Sequence, residues 1–444
     1  MTEFKRLSCI ESFVKLKFPH FGVNKNQEIT RLIYEISKRE LVQPNNILKG
    51  INSANYNYIK RYLLERRYPF SSLHEKDFKP YLPKIELNSS DCADLEEKSF
   101  YPKNVFIEKD ASGTHLAKRF KSIFTESNFK EISSLKDYRS RNKNNKIENY
   151  NKRRDAVFIV NEYYDFFRKC PCTKNAYSCG YHIFNLGFGC TFECSYCYLQ
   201  EYTNTPGIIL PANINRFFDE YNLYKMEGLR IGTGEFTDSL ALDDVTEYSL
   251  YLTEFFLNQK GTTFEFKTKS TNIKNILKAK HQDNIVVSWS VNPQNIIDKN
   301  EFFCPSLKKR INAMAECVKA DYKIGLHFDP VIYNSEWEAT YASLIENLFS
   351  RVKPESIAWI SIGTLRFNPD IKRIIEKRFP ENKILDEELI LGYDRKLRYP
   401  YSVRYKIYKK MIELLFKHSR KLRLYLCMEE PMLLKELKIP IARI

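Results

Sequence analysis

A chain of 444 residues with 43% hydrophobic and 14% aromatic residues is long enough for two or three domains, which excludes a disordered or fibrous protein. No apolar run reaches membrane-spanning length and the start, Met1 to Lys5, has no secretory signal pattern, so a cytoplasmic protein without membrane contact is expected. Seventy-one Lys and Arg against 55 Asp and Glu leave a net charge of +16, a field that draws polyanions but equally describes a lysine-rich solvated surface.

Residues 1–98 predict a helical accessory region. Ile29 to Ile36 and Tyr58 to Leu64 carry apolar residues at helical spacing, and Pro69 stops the second run. Two short helices with basic faces suit either a nucleic-acid-binding unit or a small cap. Pro80, Pro83 and the polar stretch Asn88 to Cys92 read as a linker. Residues 99–180 form a flanking α/β segment, with a strand at Asn104–Glu108, a helix over Leu116–Phe124 and a strand at Ala156–Val160. The basic run Asp137 to Lys146 reads as a loop, either solvated or touching phosphate.

From residue 181 to 365 short apolar strands alternate with helices. Strands are predicted at His182–Leu186, Leu229–Gly232, Phe264–Thr268, Ile285–Val291, Ile324–Phe328 and Ile357–Ile362, with helices such as Asp243–Leu257, Lys308–Val318 and Glu336–Phe349 between them. That alternation implies a parallel sheet with right-handed crossovers, here an α/β partial (β/α)6 barrel whose chemistry gathers at the carboxyl ends of its strands. Residues 366–444 add a C-terminal extension: a helix near Ile371–Lys377, a basic aromatic segment from Tyr393 to Tyr405, a helix over Val403–His418 and a last strand at Leu422–Cys427. Arginine there can hold phosphate while tyrosine stacks on a base; a plain loop docking the last helix fits as well.

The chemistry concentrates after the first barrel strand. Cys190, Cys194 and Cys197 are spaced C-x3-C-x2-C among glycines and aromatics. Three thiolates can hold three irons of a [4Fe-4S] cube and leave the fourth iron open. A zinc site would ask for a fourth ligand close by. At the end of the second strand lies Gly232-Thr-Gly234-Glu235-Phe-Thr237-Asp238; its glycines allow close backbone approach, and a carboxylate can hold an ammonium. Lys269 ends the third strand and Ser290 the fourth.

With these motifs, and with Gly325-Leu-His-Phe-Asp-Pro330, Glu336-Trp337-Glu338 and Arg366-Phe367 further on, the sequence resembles the spore photoproduct lyase family of radical SAM enzymes over roughly residues 103–430. The resemblance implies a [4Fe-4S] cluster on Cys190, Cys194 and Cys197 and S-adenosyl-L-methionine (SAM) at the open iron. It also implies reductive cleavage of SAM to a 5′-deoxyadenosyl radical, damaged DNA carrying a thymine dimer as substrate, and an electron donor such as flavodoxin or ferredoxin. Tyr196, Tyr198, Gly234, Glu235, Thr237, Asp238, Lys269 and Ser290 would line the SAM pocket. Glu235 stands where those lyases keep a hydrogen-donor cysteine. A carboxyl O–H is too strong a bond to take that role, so Tyr196 and Tyr333 become the candidate radical relays, or the radical acts on a different substrate: RNA, a peptide or a small metabolite. A nucleic-acid-binding iron–sulfur protein without turnover is the reading from another class.

Cys170, Cys172 and Cys179 form a second thiol group. It reads either as an auxiliary metal site, with Cys427 as a possible fourth ligand, or as structural thiols. Cys9, Cys92, Cys304 and Cys317 read as scattered core or surface thiols, and His327 on its barrel strand as a packed side chain.

Overall fold

The structure, a computed structural model, describes the chain apart from residues 1, 76–77, 97–98, 144, 164–166, 174–175, 177, 224–227 and 440–444. It divides into two compact units. The first joins Met1–Asp94, Ile332–Asn334 and Thr364–Lys406; the second joins Leu95–Val331, Ser335–Gly363 and Ile407–Ile444.

The first unit is built on helices Glu3–Lys17, Val23–Glu40 and Tyr56–Arg67. The predicted short helices are the middles of longer ones, and the first helix was not foreseen. Ile10, Val14, Ile29, Leu32, Ile33, Ile36, Ile59 and Leu63 interlock in one core. Two of the basic residues do not face solvent: Arg31 and Arg67 are fully buried. Arg31 donates to Glu376 and Glu35, Arg67 Nε donates to Glu35 Oε2 (2.7 Å), and Lys372 Nζ donates to Glu35 Oε1 (2.8 Å). Residues 364–406 supply helix Pro369–Arg378 and a small antiparallel sheet ordered Arg366–Phe367, Leu397–Arg398, Ile390–Leu391. Two arginines of the basic aromatic segment, Arg398 and Arg404, also turn inward, while Arg395 is exposed. Arg398 is held by Asp394 (2.9 and 2.6 Å), and Arg404 Nε donates to the Tyr399 carbonyl (3.1 Å). Neither is presented for phosphate in this structure.

The second unit holds two sheets. A four-stranded parallel sheet is ordered Asn128–Ile132, Asn104–Glu108, Ala156–Val160, Ile208–Pro211. The stretch from Asp137, expected as loop, instead continues helix Leu135–Arg141, capped by the Ser134 side chain on the Asp137 N–H, and then enters helix Lys146–Lys152.

The larger sheet is the curled partial barrel. Its six expected strands appear at Tyr181–Phe184, Leu229–Thr233, Thr262–Thr268, Ile285–Ser290, Lys323–Val331 and Ile357–Thr364, side by side in chain order. The pairings from first to fifth are parallel. Leu424–Leu426 extends the sheet beyond the sixth strand, and Phe167–Lys169 closes the other edge antiparallel to the first. The strands are buried nearly throughout, as in a sheet covered on both faces, although several buried positions are polar or charged. The expected helix over Asp243–Leu257 breaks at Glu247, whose φ of 54° ends one turn and starts the next. Among the described residues no helix is long and apolar enough to cross a membrane.

Candidate active site

The chain leaves the first barrel strand through Gly187, at φ +120°, where a Cβ would stand 2.4 Å from the Ile209 carbonyl. Only glycine fits this exit. Phe188 and Ile209 exchange two backbone bonds (3.0 and 2.8 Å), so the neighbouring parallel sheet anchors the start of the cysteine loop. The far end is anchored by a short antiparallel pairing of Glu193–Cys194 with Glu301–Phe302. From beneath, the buried Arg153 guanidinium donates to the carbonyls of Cys190 (3.0 Å), Tyr150 (2.9 Å) and Phe192 (2.5 Å) and to Glu193 Oε2 (2.8 Å). Gln200 Nε2 donates to the carbonyls of Ser195 and Cys197 (2.8 and 2.9 Å). The loop is thus pre-shaped by its own chain.

The three thiols stand within electrostatic reach of one another, and none is in a disulfide. Burial pushes Cys190 and Cys197 up; the neighbouring Asp238 adds to the rise at Cys190. Cys194 moves the other way, through a bond with the Cys304 thiol and then the Lys269 charge. Cys304, expected to be unrelated, therefore lies beside the loop. The Phe192 N–H donates to Cys190 Sγ (3.4 Å), the kind of bond that supports a thiolate ligand. Among the described residues no group of three or more His, Cys, Asp or Glu side chains closes to the spacing of a single bound ion. A cube makes no such demand, because each cysteine takes a different iron. Donor type, number and loop shape fit a cluster.

Around this loop, Glu301 organises a buried polar group. Its carboxylate accepts from Tyr196 Oη, Asn292 Nδ2 (2.9 Å) and Arg310 Nη2 (2.6 Å). Burial alone would raise its pKa; Arg310 and then Lys269 bring it down to about 2. Arg310 also donates to the Ser290 carbonyl (3.0 Å), and Tyr341 Oη to Asn292 Oδ1 (2.7 Å). Lys269 lies over the Tyr196 ring, its ammonium 5.5 Å from the centroid. Burial opposes its charge, yet Cys194, Glu301 and Cys304 hold its pKa above the ordinary lysine value. Tyr196, Lys269 and Ser290 are therefore brought to one place by a glutamate that no motif marked. Nothing in the sequence marks it, since it follows the polar run Asp298-Lys299-Asn300 as one more charged residue.

On the other flank, the Tyr198 hydroxyl donates to the Glu235 carbonyl. Gly234, at φ +94°, makes the turn possible; a Cβ there would meet the Lys267 carbonyl at 2.6 Å. Thr237 is half-buried in the same turn. Asp238 behaves differently from a ligand contact. Its Oδ1 accepts from the N–H groups of Leu240 (3.0 Å) and Ala241 (2.9 Å) and from Thr268 Oγ1 (2.5 Å), and its Oδ2 accepts from the Lys269 N–H (2.7 Å). The first two bonds shape the turn itself, and the other two tie it to the end of the third strand and set where Lys269 starts. Tyr333 groups with the first unit, where its N–H donates to Tyr399 Oη (3.0 Å).

His327 is not merely packed. Its Nε2 pairs with Glu265 Oε1 (2.7 Å), Glu265 Oε2 accepts from Arg230 Nη2 (2.9 Å), and Arg230 reaches Tyr425 Oη (3.0 Å). This network spans the second, third, fifth and last strands of the sheet.

The family described as spore photoproduct lyase matches residues 100–427. Spore photoproduct lyase of Bacillus subtilis (strain 168) is 27% identical over 305 residues, 66% of this chain and 86% of the relative. That of Geobacillus sp. (strain Y412MC61) is 25% identical over 301 residues, 65% of this chain and 86% of the relative. Among solved structures, a mutant spore photoproduct lyase with bound AdoMet and dinucleoside spore photoproduct superposes with a TM-score of 0.64 at 22% identity, covering 74% of this chain and 100% of that one.

Proposed function

This chain belongs to the spore photoproduct lyase family, which makes it a radical SAM lyase, and on that premise we propose that it cleaves SAM at a [4Fe-4S] cluster to act on a thymine photoproduct in DNA. The reading as an iron–sulfur protein without turnover falls with that membership. What carries the proposal is the cysteine loop itself: three thiols on a braced loop at the carboxyl end of the first barrel strand, with Lys269 and the Glu235 turn beside it.

Cys190, Cys194 and Cys197 would hold the cluster, leaving one iron for SAM. Bound together, the two groups supply the electron and the 5′-deoxyadenosyl radical. The chain's own task is to place and shield them. Lys269, kept charged by Cys194, Glu301 and Cys304, would pair with the SAM carboxylate. Glu235, Gly234 and Thr237 would face its ammonium, with Tyr198 fixing the Glu235 backbone. Ser290 sits at the strand end held by Arg310. Tyr196 is oriented by Glu301 and is the relay candidate nearest the loop. Asp238 positions Lys269 through the backbone. An electron donor such as flavodoxin or ferredoxin would feed the site. A lesion in duplex DNA would have to be turned out of the stack to reach it.

Glu235 favours a second reading, in which the same radical acts on a different substrate, because a carboxyl group does not readily return a hydrogen atom. One experiment tests both. The protein, reconstituted anaerobically with iron and sulfide, is given SAM, a strong reductant and either irradiated spore-type DNA or plain DNA. Loss of the photoproduct with formation of 5′-deoxyadenosine is expected. Formation of 5′-deoxyadenosine without any change in the photoproduct would remove the DNA reading and leave the second.

A further inference from the structure

The second thiol group lies away from the cysteine loop in sequence and is used by nothing described above. The structure draws it together from two distant segments. The Cys170 N–H donates to the Tyr181 carbonyl (3.0 Å), which sets Cys170 beside the segment that carries Cys179. The Cys172 N–H donates to the Cys170 carbonyl (2.8 Å), and the two thiols are hydrogen-bonded to each other. Cys427 arrives from the far edge of the barrel sheet, where its N–H donates to the Ile362 carbonyl (2.9 Å). The junction between the segments is direct: Thr173 Oγ1 meets Met428 Sδ at 3.8 Å, one residue beyond Cys172 and one beyond Cys427. Cys170 is within electrostatic reach of Cys427, and Cys179 of Cys172. All four are half-buried and outside any disulfide.

Beside them stands a cation short of partners. Arg230 is 3% exposed, yet among the described residues its Nε and Nη1 find no hydrogen-bond acceptor. Its guanidinium lies over the rings of Trp359 (4.0 Å), Tyr425 (5.1 Å) and Tyr181 (5.2 Å), and it acts electrostatically on Cys179. Buried N–H groups left this way ask for an anion or an acceptor that the described residues do not supply. An iron–sulfur cluster on four thiolates is such a group, since its thiolates and sulfides together outweigh the charge of its irons.

We propose that Cys170, Cys172, Cys179 and Cys427 hold a second iron–sulfur cluster, with Arg230 as its buried counter-charge. Four cysteines fill every corner, so this cluster has no open iron and differs in kind from the one on the Cys190 loop. Among the described residues no three His, Cys, Asp or Glu side chains stand at the spacing of a single bound ion, a spacing that a multi-iron centre does not require. Cys170 also lies within electrostatic reach of Glu235 and Tyr198, so the centre would border the SAM side of the barrel. The inference rests on none of the residues assigned to the SAM cluster.

The test is native mass spectrometry with iron and sulfide analysis on the full chain reconstituted anaerobically. Wild type is expected to carry two clusters. The triple variant Cys190→Ala/Cys194→Ala/Cys197→Ala is expected to keep one of them, with about half the iron, and to make no 5′-deoxyadenosine. Cys170→Ala/Cys172→Ala, and separately Cys427→Ser from the other segment, should lose the complementary half while SAM still perturbs the remaining cluster's electron paramagnetic resonance signal. Cys9→Ser serves as the neutral control, and the wild-type count stands even if a variant fails to fold. A single wild-type cluster that vanishes in the triple variant would overturn the proposal, as would zinc without sulfide at these cysteines. Failure of the SAM reaction alone would touch only the first cluster.

Discussion

At the scale of single residues, the site depends on groups that carry no motif. Arg153 is the clearest. It joins three carbonyls around the cysteine loop to the buried Glu193 carboxylate, so Arg153→Met leaves a carboxylate without its partner and the loop without its brace. A loss of about 3–5 kcal/mol in chemical denaturation is expected, together with lower iron content after reconstitution. Unchanged iron content would show that the loop holds its shape without Arg153. Gly187→Ala acts on the same loop from its entry. The added Cβ meets the Ile209 carbonyl in a backbone region that side chains avoid, so about 1–3 kcal/mol should be lost and cluster loading should fall. A crystal structure or iron assay of that variant checks it. The cysteine loop and the Glu235 turn stood out in the sequence as motifs, whereas Lys269 and Ser290 were expected in the site only through the family resemblance. Glu301, Arg153 and Cys304 were not expected there, because their importance arises only when distant segments meet.

At the scale of elements, helix Val23–Glu40 shows how a local rule misleads. Arg31 and Glu35 are an i,i+4 pair, a spacing that normally reads as a solvated helix face. Here Glu35 is buried against Arg31, Arg67 and Lys372, while Arg31 also serves Glu376. Burial would raise the Glu35 pKa; the three cations reverse that and hold it below the usual carboxylate range. A depressed folded-state pKa has a definite sign. The stabilisation is complete above the unfolded carboxylate value of about 4.3 and is lost as pH falls through and below it. Urea denaturation of wild type should therefore weaken below about pH 4, and Glu35→Gln should be weaker at neutral pH with a flatter acid dependence. Equal acid sensitivity in the two proteins would place the effect elsewhere. The barrel strands were read nearly to the residue because their apolar runs are bounded by polar turns. The break at Glu247 was not, since nothing in Asp243–Leu257 forbids a continuous helix.

At the scale of the whole molecule, alternation of strand and helix was enough to specify the barrel, since parallel strands leave few ways to connect. The last strand was expected at Leu422–Cys427 and found at Leu424–Leu426, but its place at the barrel edge, the antiparallel strand Phe167–Lys169 and the make-up of the first unit were beyond that reasoning. Residues 364–406 join the N-terminal helices through buried ion pairs separated by more than three hundred positions, such as Arg31 with Glu376 and Lys372 with Glu35. Periodicity reports neighbours along the chain and is silent about such partners. The inward turn of Arg398 and Arg404 likewise shows why a net charge of +16 identifies no binding face by itself. The account stands most directly on how the reaction starts. The measurement is 5′-deoxyadenosine formed from SAM under a strong reductant, by the anaerobically reconstituted wild type and by the Cys190→Ala/Cys194→Ala/Cys197→Ala variant. Formation by the wild type and none by the variant is predicted; equal amounts from both, or none from a wild type loaded with iron and sulfide, would contradict it.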